Sequence, residues 1–139
     1  MLQPRNLAIW FLAGFGGTIF GHQPVLALLE AANVATFPAF QVGPVPPFGV
    51  PQMLSLAFWG GIWGMILGVV ARHFGTGLRY WIWVALFGAV APVIVAVVVV
   101  FPLKDVQPAG DPVSSLITGL LVNAAWGLMT AFIRRLIRA

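Results

Sequence analysis

The sequence predicts an all-α integral membrane protein with four transmembrane helices, paired as two helical hairpins. Three observations point there. Hydrophobic residues make up 60% of the 139-residue chain and charged residues only 7%, whereas a soluble domain carries about 25% charged residues to cover its surface. The apolar residues gather into four runs, each near the roughly 20 residues that cross a bilayer as a helix. The few charges stand between the runs and separate by sign. A single transmembrane domain over residues 1–139 accounts for this length.

The first run extends from about Leu7 to Leu29. A signal peptide also starts basic and apolar, but its apolar core is only about 7–15 residues, so this run is read as a retained span. Pro24 lacks an N–H and frees the carbonyl of Phe20, which predicts a kink. His22 and Gln23 stand at that kink. His22 lies about 22 Å from Leu7 at 1.5 Å per residue, close to the far interface that Glu30 marks. Residues 37–52 then hold Pro38, Pro44, Pro46, Pro47 and Pro51, which forbid a regular helix. So few polar groups suit an external segment lying on the membrane surface or over the helix ends.

The second span, about Met53 to Phe74, contains Gly60, Gly64 and Gly68 at four-residue spacing. On a helix that spacing makes a ridge nearly without side chains, and in lipid such ridges let two backbones approach closely. Trp59, Trp63, Ile66 and Val70 fall on another face. The third span, about Tyr80 to Phe101, opens on an aromatic belt of Tyr80, Trp81 and Trp83, and Pro92 predicts a second kink. Its stretch Ile94–Val100 would suggest a strand in water, but inside a run of about twenty apolar residues it is a lipid-facing helix. The fourth span, about Val113 to Ile133, ends in Arg134, Arg135 and Arg138.

Orientation follows from the charges. Arg5, Arg72, Arg79, Arg134, Arg135 and Arg138 fall on one side of the spans, and Lys104, Glu30, Asp105 and Asp111 on the other. Positive charge stays with the cytoplasm, so both termini are expected to be cytoplasmic, in what is read as a bacterial cytoplasmic (inner) membrane. The net charge of +4 is explained by this placement at the edges of apolar runs, and nucleic acid is not an expected partner. The absence of cysteine rules out disulfides and thiolate metal sites.

An internal echo suggests that the hairpins are parallel repeats, related by an axis along the membrane normal. Phe37-Pro38, Val42 and Pro44 match Phe101-Pro102, Val106 and Pro108. Trp63-Gly64 to Arg72 matches Trp126-Gly127 to Arg135, and Ile9-Trp10 faces Ile82-Trp83 at an offset about ten residues larger. The first hairpin would then carry an insertion near residues 24–36.

The candidate helix-packing interface comprises Gly17 and Gly21, beside Ala13 on the first span, Gly60, Gly64 and Gly68 on the second, and Gly119 and Gly127 on the fourth. Asn123 and Ala131 share the last of these ridges. His22, Gln23 and Asn123 are the candidates for a ligand or a pore. The competing structural roles are a polar pair satisfying a kinked backbone for the first two, and an interhelical hydrogen bond for Asn123. Thr18, Ser55, Thr118 and Thr130 are expected to bond to their own helix. No Asp, Glu, Lys or Arg lies inside a span away from its ends, and no carboxylate pair, nucleophile triad, HExxH or phosphate loop is present. The two histidines belong at opposite membrane faces, so no metal site forms within one chain.

The expected function is therefore non-enzymatic and without a cofactor. The chain would act through helix packing as an accessory, assembly or structural subunit in the lipid bilayer, as a homo-oligomer or with a membrane-protein partner. The alternative is a homo-oligomeric channel or carrier for a small solute. The topology is testable directly. A cysteine at Asp105 should react with an impermeant reagent in intact cells, while one at Thr76 should not, and the reverse pattern would refute the assigned orientation.

Overall fold

Each apolar run forms one helix in the computed structural model, which describes residues 3–107 and 110–138, without the side chain of Arg138. The helices are α1 (Pro4–Ala31), α2 (Gln52–His73), α3 (Gly77–Lys104) and α4 (Pro112–Arg138). All four are long and apolar enough to cross a membrane. They outrun the apolar cores because polar and turn residues extend them. Pro4 opens α1, where a missing N–H costs nothing. The Asp111 carboxylate accepts the Ser114 N–H at 2.9 Å and caps α4, which runs on through the basic residues suited to a helix C-terminus. The left-handed Asp105 (φ 50°) ends α3.

Two of the helices widen into a π turn. Residues Thr18–His22 form one in α1, where the Gln23 N–H bonds five residues back to Thr18. Residues Ala96–Val100 form the other in α3, where the Phe101 N–H bonds five back to Ala96. A proline follows each, Pro24 and Pro102. Its ring crowds the carbonyl four residues earlier, that of Phe20 or Val98, and the wider turn moves that carbonyl aside. The first departure falls where Pro24 predicts it. At Pro92 the α-helix continues, from Gly77 to Val95, and the second π turn lies beyond it. Gly88, whose carbonyl Pro92 frees, lies against Gly127 of α4.

Between α1 and α2, residues 37–51 contain no helix. Two short antiparallel strands, β1 (Pro44–Val45) and β2 (Val50–Pro51), pair Pro44 with Pro51 and Val45 with Val50. The segment is tied down at its start. The Ala39 N–H donates to Glu30 Oε2 at 3.1 Å, and the Phe40 N–H to Gln23 Oε1 at 2.7 Å.

In the bundle α1 packs closely against both α2 and α4, and α4 also packs closely against α3. The contact between α2 and α3 is wider and aromatic: Trp63 meets Phe87 edge-on at 6.2 Å, and Phe74 stacks on Trp83 at 6.2 Å. Trp10, Leu67, Val84, Trp126 and Ala131 form the core. One end of the bundle gathers Asn6, Trp10, Tyr80, Trp81, Arg134 and Arg135 and is basic. The other carries Glu30 and Asp111 at helix ends and is acidic. Of the sequence echo, Pro108 lies outside the described residues, and of the basic residues at the end of α4 the Arg138 side chain does.

Candidate functional site

The glycines lie where backbones meet. A Cβ on Gly14 would strike the carbonyl of Gly60 and come within 2.9 Å of the Gly64 Cα. One on Gly64 would strike the carbonyl of Trp10 and the Gly14 Cα. This is the α1–α2 crossing. The α3–α4 crossing repeats it: a Cβ on Gly88 would lie 2.6 Å from the Asn123 carbonyl, and one on Gly127 would lie 2.9 Å from the Val84 carbonyl. Side chains the size of a methyl are excluded at all four positions.

Glycines of α1 also admit α4. Gly17 faces the Thr130 hydroxyl and the Trp126 carbonyl, and Gly21 faces Met129 and the Ala125 carbonyl. On α2, Gly68 lies under the Trp10 ring and Gly61 under the Phe11 ring. Of the interface residues expected from sequence, Gly119 is the loosest, since a Cβ there would make only an ordinary contact with Val93 at 3.5 Å. Gly14, Gly61 and Gly88 were not singled out. Gly14 was hidden by the Ala13–Gly17–Gly21 spacing, which picks out the α4-facing side of α1. Gly88 stands alone in its helix, without a four-residue pattern to mark it. All these glycines face other helices of the same chain.

Around Gly14 a buried polar node forms. The Trp126 indole N–H donates to the Gly14 carbonyl at 3.0 Å, and the Thr18 hydroxyl donates to the same oxygen at 3.3 Å. Gly60 leaves the room for both, since a Cβ there would strike the Thr18 hydroxyl and lie 3.2 Å from the indole nitrogen. Trp126 is 2% exposed, so its polar atom needs such a partner. The node joins α1, α2 and α4 at one point. Sequence spacing within one helix carries no trace of a hydrogen bond across 112 residues.

His22 and Gln23 meet at the π turn. Gln23 is 1% exposed. Its amide oxygen accepts the Phe40 N–H, so its nitrogen is the donor to His22 Nδ1 at 3.1 Å. That donation makes Nδ1 an acceptor and assigns the ring proton to Nε2. Asn123 does not join them by any such bond; its amide donates to the Gly119 carbonyl of its own helix at 2.8 Å. The hydroxyls divide. Thr18 bonds to its own helix, but Thr118 reaches the Val34 carbonyl at 3.5 Å, and Thr130 is buried against Gly17 without a hydrogen bond. Among the described residues no three His, Asp or Glu side chains converge to hold a metal ion.

Comparison with family models, with curated proteins and with solved structures finds no match. Two predictions rest on the geometry alone. Gly60→Ala should lower stability in detergent by about 1–3 kcal/mol through overpacking, while Gly119→Ala should leave it nearly unchanged; thermal unfolding of the two proteins checks this. Gln23→Leu should unhook the proline-rich segment. It leaves the Phe40 N–H unpaired at a cost of about 1–3 kcal/mol, and limited proteolysis should then cut between Phe37 and Pro51 faster than in the native chain.

Proposed function

We propose that this chain is a small integral membrane protein that works through helix packing, as an accessory, assembly or structural subunit of a larger membrane complex. The observation that supports it is where the polar side chains turn. Gln23, Thr18, Trp126 and Asn123 all bond to the chain's own backbone, and none stands ready for a reacting group. What remains for contact is an apolar exterior, where Leu54, Phe58 and Trp59 of α2 are about half exposed. General acid–base work needs a titratable group held where a substrate reaches it, so no turnover by the chain alone is proposed. Both termini are assigned to the cytoplasm of a bacterial inner membrane on the charge bias. The matching glycine crossings, with Trp63 turned to α3 and Trp126 to α1, favour hairpins that arose as parallel repeats.

A second reading, a homo-oligomeric channel or carrier for a small solute, draws on His22, whose Nε2 proton the bond from Gln23 leaves unused. Purification from native membranes in mild detergent separates the two. The subunit reading expects a second membrane polypeptide to co-migrate on a native gel, with His22→Ala retaining that complex and Trp59→Ser, on the exposed face of α2, losing it. Solute flux from liposomes holding this chain alone, abolished by His22→Ala in a normally folded protein, would establish the channel instead.

A further inference from the structure

On the outside of the bundle, a cleft of about 410 Å³ opens between α1, α3 and α4. Phe20 and Val25 of α1, Trp81 of α3, and Leu128, Met129 and Phe132 of α4 line it, with Ala125 beside them. The lining is almost entirely apolar. At its basic end the Arg135 guanidinium lies 4.6 Å over the Trp81 ring and 5.0 Å over the Tyr80 ring. Trp81 thus belongs both to the cleft and to the arginine's seat. Arg135 follows Phe132 by three residues, which places the two on one face of α4.

We propose that this cleft binds one anionic phospholipid, with its phosphate on Arg135 and an acyl chain laid along the cleft. Dimensions and charge both fit. From Arg135 to Ala125 is ten residues, about 15 Å along a helix, which is half of a hydrocarbon core about 30 Å thick. A phosphate at Arg135 therefore sits at the headgroup level while the chain it carries reaches the midplane beside Ala125. An arginine seated on aromatic faces keeps its planar N–H edge for a bidentate anion. Every acidic residue of the chain, Glu30, Asp105 and Asp111, belongs to the opposite end of the spans, so among the described residues no carboxylate side chain competes.

Native mass spectrometry of the purified full chain, supplied with phosphatidylglycerol or with phosphatidylcholine of the same acyl chains, tests this. The native protein should retain phosphatidylglycerol about five-fold more than phosphatidylcholine, the effect of one cation near the membrane surface. Arg135→Gln should abolish the preference, Arg135→Lys should keep part of it, and Arg72→Gln should leave it intact. Leu128→Trp, which fills the cleft but leaves the charge, should lower phosphatidylglycerol retention. Should Arg135→Gln fail to fold, the lysine and tryptophan variants decide. Equal retention of the two lipids, a preference that survives Arg135→Gln, an equal loss in Arg72→Gln, or occupation of the cleft by a second copy of the chain would overturn the proposal.

Discussion

The bundle depends on how closely α1 can be approached from two sides at Gly14. In lipid, apolar side chains gain little by leaving one greasy surface for another, so helices are held by van der Waals fit and interhelical hydrogen bonds. At Gly14 both act at one residue. Gly60 and Gly64 bring the α2 backbone against it, and Trp126 of α4 donates to its carbonyl. The contacts reinforce one another, because Gly60 provides the space through which Thr18 and Trp126 reach the same oxygen. A glycine ridge is here less a general adhesive surface than clearance for one polar node.

The π turns serve the same packing. A wider turn in a helix shifts everything beyond it around the axis. In α1 the turn lies between the Gly14 crossing and Gln23, so a single helix presents Gly14 to α2 below and Gln23 to the Phe40 N–H above. Pro24 makes the turn locally favourable, and Gln23 makes it useful. Of the polar pair that marks the sequence so clearly, Gln23 is taken up by the protein's own loop, where its buried amide satisfies a backbone N–H that lipid could not.

The spans were legible because composition and run length act locally and strongly. Gly60, Gly64 and Gly68 could be read as a ridge because their spacing alone makes one. Gly14 and Gly88 could not, since an isolated glycine is an interface only when a particular neighbour stands opposite it. The prolines of α3 mark disturbance without fixing its form: the α-helix continues through Pro92, while a π turn appears before Pro102. The fate of Asn123 was half legible: its residue type demanded a partner, but only the structure shows it bonding to Gly119 within its own helix rather than across to another.

The bond between Gly14 and Trp126 has a bearing on biosynthesis. α1 is synthesised before α4, yet the centre of the protein is made by these two. The α1–α2 hairpin has its own crossing and can close as soon as both helices are inserted. Until α4 arrives, the space its indole fills lies open to lipid beside a carbonyl that awaits its cross-helix donor. α4, made after that hairpin, thus completes the middle of the structure, so that a ribosome stalled before Trp126 would leave a paired hairpin without the indole that joins it to the rest of the bundle.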